Sequence, residues 1–142
     1  MTRITVAEFE RLSRERLPFA VELGYRIETI DAGRAVARAV YDKRFLRPGD
    51  TIAGPVMMGL ADYVMYAAVL SLIGPVELAV TINLNINFLR RPRPGDIIAE
   101  ARILKLGKRL AVGDVDVHSD GEQQLVAHVT ATYSIPPQSG ES

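Results

Sequence analysis

The residue with the clearest chemical potential is Asp62, a lone acid inside the apolar run GPVMMGLADYVMYAAVLSLI over residues 54–73. At helical spacing its neighbours are Met58, Gly59, Met65 and Tyr66, none of which neutralises a carboxylate. Apolar surroundings disfavour the charged form, which makes a carboxylate more basic and suits a general base. The alternative is a structural acid, hydrogen-bonded to backbone amides or to a tyrosine hydroxyl. Gly54 opens the same run. A helix that starts there presents unpaired N–H groups and the positive end of its dipole, which stabilise an oxyanion forming on a carbonyl. Glycine lets a substrate come close to the backbone, and Pro55 suits the first helical position, where no N–H is needed.

The spacing of these two features constrains how they cooperate. From Gly54 to Asp62 a helix rises about 12 Å at roughly 1.5 Å per residue. One carbonyl cannot touch the Gly54 amide and also reach Asp62 of the same helix. If both act on one carbon, they come from two subunits related by a two-fold axis, with antiparallel helices and two equal sites.

Other chemistries are poorly served. The chain has no cysteine, so it offers no disulfide, thiolate metal site or cysteine nucleophile. His118 and His128 fall in late strands, apart from any Asp/Glu motif with metal-ligand spacing, and no metal is expected. Neither a Gly-rich phosphate loop nor a Gly-x-Ser-x-Gly elbow is present. Seventeen basic residues balance seventeen acidic ones. That balance leaves no global field for nucleic acid or an anionic membrane, so an anion site must be local.

The elements that must position Asp62 follow from pattern. Thr5 to Glu8 has the capping-box form, with Val6, Phe9 and Leu12 behind it, so a helix runs from there and stops before Pro18. Phe19 to Leu23 forms another turn, closed by Gly24. Tyr25 to Asp31 and Arg34 to Tyr41 read as a hairpin about Ala32-Gly33. The run 54–73 approaches the roughly 20 residues that cross a bilayer. Its central Asp62, the lack of flanking Lys or Arg, and the alternating strands that follow favour a helix enclosed by protein.

Gly74-Pro75 ends that helix. From Leu78 to Leu89 alternation puts Val80, Ile82, Leu84, Ile86 and Phe88 on one face and Thr81, Asn83, Asn85 and Asn87 on the other. Pro92 to Asp96 reads as a turn. Strands over Ile97 to Leu106, Leu110 to His118 and Gln124 to Ile135 complete four consecutive antiparallel strands. Three segments result: an N-terminal helical part (1–18), one domain (19–135) and a disordered tail (136–142). The start of the chain lacks the basic-then-apolar order of a signal peptide, so a cytoplasmic setting is expected. The fold class is α+β, with a curved antiparallel sheet wrapped around one long central helix: the hotdog arrangement.

Residues Ala53 to Asp62, and above all Leu60-Ala61-Asp62, resemble the start of the central helix in hotdog acyl-CoA thioesterases of the phenylacetate-degradation type. Thr81 to Leu89 is similar to the strand that follows in that family. Pro94-Gly95-Asp96, Gly107-Lys108-Arg109 and Ala131-Thr132-Tyr133 match its pattern too, and the resemblance covers about residues 19–135. The chain differs where the family carries a histidine (Ala53), a second glycine (Pro55) and, several residues earlier, an asparagine (Arg47 or a neighbour).

The resemblance implies hydrolysis of an acyl- or aryl-acyl-CoA thioester at a dimer interface, in a homodimer or a dimer of dimers. It needs no cofactor, coenzyme A being part of the substrate. Asp62 is then base or nucleophile, the Gly54 amide holds the oxyanion, and Thr81 orients the attacking water. Arg90, Arg91, Lys108 and Arg109 are the local supply of charge for CoA phosphates, and Asn83 contacts pantetheine or a second dimer, or else lies on a merely solvated face. Met57, Met58 and Met65 would line an adaptable acyl pocket. Two rivals differ in class. A silent acyl-CoA or fatty-acid binding protein would fit the missing histidine, and a hotdog hydratase-dehydratase would need a histidine beside its carboxylate.

Overall fold

The computed structural model describes residues 1–137, and what the sequence implies for the end of the tail lies outside them. Helix α1 (Val6–Arg16) starts on the expected capping box, with Thr5 and Glu8 satisfying each other's backbone N–H groups. Helix α2 (Pro18–Glu22) follows at once. Strands β1 (Tyr25–Asp31) and β2 (Arg34–Ala39) form the hairpin. A short 3-10 turn (Lys43–Phe45) then leads into the small β3–β4 hairpin, Leu46–Arg47 with Thr51–Ile52. Helix α3 (Gly54–Ile73) has the predicted bounds. Strands β5 (Val80–Phe88), β6 (Ile97–Leu106), β7 (Leu110–Ser119) and β8 (Leu125–Ser134) complete the chain.

Six strands form one antiparallel sheet in the order β1-β2-β6-β7-β8-β5, and its inner face packs on α3. This is the hotdog architecture. One connection departs from the sequence reading. Strand β5 does not hairpin to β6; it pairs with β8 at the sheet edge, so residues 89–96 cross from that edge to the centre. Pro92 and Pro94 suit an extended crossing rather than a tight turn, because neither can donate a backbone hydrogen bond.

Why α3 can lie so close to the sheet is read from its inward residues. Ala35, Ala37, Ala99, Ala101, Ala111, Ala127 and Ala131 are all buried. Ala35 pairs with Ala101, and Ala37 with Ala99. This bed of small side chains admits Leu60, Val64, Met65 and Leu70, all fully buried. Gly113 has no room for more: a methyl there would come 2.5 Å from the Arg102 carbonyl and 2.6 Å from Met65 Cε. Of the most apolar window of α3, 72% is buried inside the protein, as a core helix requires. The N-terminal segment joins the same core, since Ile4, Phe9 and Leu12 are buried in it.

Candidate functional site

Gly59, Asp62, Tyr63 and Tyr66 recur at i, i+3, i+4 and i+7 along α3, so they share one helix face. That face lines an open cavity of about 370 Å³ together with Phe19 of α2, Tyr25, Thr81 and Tyr133. The aromatic rings are held by one another. Phe9 packs edge-on against Tyr63 at 5.3 Å and Tyr66 at 5.8 Å, and Tyr66 stacks on Tyr133 at 6.1 Å. Their hydroxyls are engaged elsewhere. Tyr25 donates to the Val56 carbonyl (2.7 Å), Tyr66 donates to the Glu77 carbonyl (2.9 Å), and Tyr63 meets Ser13 Oγ (2.9 Å). Burial pushes the Tyr63 and Tyr66 hydroxyls up to about 12, so both stay protonated. What the cavity offers a ligand is therefore mainly aromatic surface, with Asp62 as its carboxylate on the helix face.

Asp62 Oδ1 accepts from Thr81 Oγ1 at 2.5 Å and from the Tyr133 hydroxyl at 2.8 Å. The same tyrosine hydroxyl lies 3.0 Å from the Asp62 carbonyl oxygen. Thr81 reaches this place by a bulge. Thr81 pairs with Tyr133 and Asn83 with Thr132, so the register slips by one residue between them. Strict alternation puts Thr81 on the face of the asparagines. The bulge instead turns it inward with Leu84 and Ile86, and leaves Val80 and Ile82 more than half exposed.

Gly54 stands apart from this cavity. A methyl on it would come 2.9 Å from the Phe88 ring, at the far end of β5 from Thr81. With Arg47, Met57, Arg90 and Arg91 it lines a second cavity of about 330 Å³. Arg90 and Arg91 thus do join the α3 N-terminus, and Arg47 joins them. Lys108 and Arg109 lie at the opposite end of the sheet, where Leu110 and Val80 flank Ser134. Asn83, Asn85 and Asn87 pair with Thr132, Thr130 and His128 on the sheet's outer face, away from Asp62.

Two expectations fail. The methionines do not line the Asp62 cavity. Met58 and Met65 flank the Asp62 face at i−4 and i+3, but Met65 turns to Gly113 in the core and Met58 outward, while Met57 lines the Gly54 cavity. Nor does His128 stand apart from acids. Its Nε2 lies 3.0 Å from Asp114 Oδ2 and 3.9 Å from Asp116 Oδ1, brought there by cross-strand register. Among the described residues this is a cluster close enough to hold an ion, but the Arg102 guanidinium already takes both Asp114 oxygens, at 2.7 and 3.0 Å. The arrangement fits an ion-pair network better than a metal cage.

Burial opposes the Asp114 charge, yet Arg102 and His128 outweigh it and hold this carboxyl below the ordinary carboxylate range. A lowered value means stability that is complete above the ordinary range and lost as pH falls through the lowered one. Asp114→Asn should therefore cost about 1–2 kcal/mol at pH 7, part of the pair being screened because Arg102 is half exposed. Urea midpoints should show the full deficit at pH 7 and a shrinking one as pH falls below the ordinary carboxylate range.

The fold is that of a hotdog protein, with a carboxylate set at an aromatic cavity. The profile of the Thioesterase superfamily matches residues 49–126, more than half of the chain, which belongs to that family of hydrolases. A candidate thioesterase from Silicibacter sp. TM1040 is 39% identical, with a TM-score of 0.87 over 96% of this chain and 95% of its own. The phenylacetic acid degradation protein PaaI of Thermus thermophilus, solved as a point mutant, is 28% identical, with a TM-score of 0.75 over 84% of this chain and 99% of its own. The 1,4-dihydroxy-2-naphthoyl-CoA hydrolase of Listeria monocytogenes is 23% identical over 72% of this chain and 84% of its own.

Proposed function

We propose that the protein hydrolyses acyl-CoA thioesters, aryl-acyl groups among them, as a two-fold dimer with a site shared between subunits. The observation that carries this is the Asp62 carboxylate at an aromatic cavity, its Oδ1 bound to Thr81 and Tyr133. No partner contacts Oδ2 among the described residues, so that atom is free for the reaction. It takes the proton of an attacking water and passes it to the CoA sulfur as the C–O bond forms and the C–S bond breaks. Or it attacks the thioester carbonyl itself, expelling CoA and leaving a mixed anhydride that water then cleaves to free acid and carboxylate. Thr81, whose O–H donates a hydrogen bond to Asp62, keeps lone pairs to orient that water.

The free edge of the sheet supports the dimer. Strand β5 carries no charged residue, and Leu78, Val80, Ile82, Phe88 and Leu89 along it are all more than half exposed. Such an edge is a template for another strand. Thr81 and Phe88 lie about 23 Å apart at the roughly 3.3 Å rise of a strand. Antiparallel pairing of two β5 edges about Asn85, with the bulge taking up one residue, would bring Thr81 of one subunit to the partner's Phe88, and Asp62 to the partner's Gly54. The same operation carries Lys108 and Arg109 towards the partner's Arg90 and Arg91, giving the CoA phosphates cations from both chains. Asn83, on the outer face, suits contact with a second dimer better than contact with pantetheine.

The test is a panel of acyl-CoA thioesters, aliphatic and aryl, with release of free CoA followed by a thiol reagent. Turnover of at least one is expected, fastest where a ring can meet the tyrosine walls. Tight binding of every member without CoA release would make this a binding protein instead.

A further inference from the structure

Tyr133 lies on β8, the last strand of the chain and far along it from the helix acid, yet its side chain is closely held in the site. It is 3% exposed, its ring stacks on Tyr66, and its hydroxyl reaches both the carboxylate and the carbonyl of Asp62. A phenyl ring would fill the same space. The hydroxyl is therefore unnecessary for packing, and its contacts are with the one residue whose oxygen is needed for chemistry. Thr81 and Tyr133 are register partners across β5 and β8, so the bulge that turns Thr81 inward sets the two hydroxyls side by side on Oδ1. A carboxylate fixed through one oxygen from two directions has its other oxygen fixed as well.

We propose that Tyr133 is the positioning residue of the site: its hydroxyl holds Asp62 Oδ1 so that Oδ2 faces the reacting carbonyl or water. The proposal rests on the thioesterase reading for its kinetic consequence, though not for its structural one. Burial and the nearby Asp62 charge push the Tyr133 hydroxyl far above the ordinary tyrosine value, which keeps it a donor at every working pH. Thr81 alone cannot do this work, because a single hydrogen bond leaves the carboxylate free to swing about it. The loss falls on the chemical step, since Tyr133 holds the reacting atom rather than the bulk of the substrate.

The experiment compares Tyr133→Phe with the wild type in three measurements. For a thioester that the wild type hydrolyses, kcat should fall about 10- to 100-fold with KM within about twofold, the signature of a misplaced reacting group. The acid limb of the kcat profile should move to higher pH, because a carboxylate that loses a donor protonates more easily. A crystal structure of the variant should show the Asp62 carboxylate rotated from its wild-type position. A second replacement, by 3-fluorotyrosine, keeps the ring and makes the hydroxyl a stronger donor, so it should move the acid limb to lower pH. An unmoved carboxylate, or a kcat within about twofold of wild type with an unmoved acid limb, overturns the proposal. A wild type that hydrolyses no thioester sinks the thioesterase reading, while the carboxylate's position in the variant still decides the role of Tyr133.

Discussion

Asp62→Asn is expected to lower kcat for thioester hydrolysis by about 10²- to 10⁴-fold, the range a general base contributes, with little change in KM. The substitution is chosen because it removes one atom's chemistry and nothing else. Asparagine keeps an Oδ1 that accepts from Thr81 and Tyr133, so both hydroxyls of the site stay satisfied. It replaces Oδ2 with an amide nitrogen, which has no basic lone pair and cannot attack a carbonyl. Asp62→Ala is less informative, because it also strands two donors in a half-buried place, and a folding defect would mimic a catalytic one. Free CoA released per minute by matched amounts of each protein is the readout. An asparagine variant within a few-fold of wild type would remove Asp62 from the mechanism and return it to the structural role.

Much of this site was legible in the sequence, and the parts that were not share a cause. The bounds of α3 are readable because a helix with no wet face must be enclosed, and only the centre of a sheet-wrapped domain encloses one so long. Asp62 stands out for the same reason, as a charge with no partner within helical reach. Of its two partners, Thr81 is reached only through the family resemblance, and Tyr133 is not reached as a partner at all. Tyr133 lies 71 residues away, and a buried tyrosine in a strand reads first as core. The bulge at Thr81 leaves no trace, since Val80 to Phe88 alternates without a glycine or proline to mark it. Tyr63 and Tyr66 could have been found: they flank Asp62 on one helix face, but in an all-apolar run they look like packing. The crossing from β5 to β6 was misread because a Pro-rich turn and a Pro-rich crossing share one composition. Sequence periodicity shows which residues share an element's face only where no bulge interrupts the ladder, as one does at Thr81. Which faces meet is decided by register and topology, which it does not contain.

The separation of Gly54 from Asp62 leads to the second large effect, restored activity from two inactive chains. Gly54→Val should by itself cost about 10²-fold, because its side chain must displace the Phe88 ring and obstruct the approach of a carbonyl to the helix N-terminus. Asp62→Asn is inactive for a different reason. In a dimer with shared sites, a mixed pair has one site carrying both defects and one carrying neither. Its intact site takes Asp62 from the Gly54→Val chain and Gly54 from the Asp62→Asn chain. With random assortment half the dimers are mixed and half of their sites intact, so the co-expressed pair should recover about one quarter of wild-type activity. Each variant must first be shown by light scattering to be the same size as wild type, so that a lost interface is not mistaken for a lost site. If each site lay within one chain, every site in the mixture would carry a defect, and activity would stay at the mean of the two parents. Recovery therefore reports on geometry rather than on either residue alone. It follows from the two features lying on separate cavities of one helix, at opposite ends of a strand whose outer edge is unpaired.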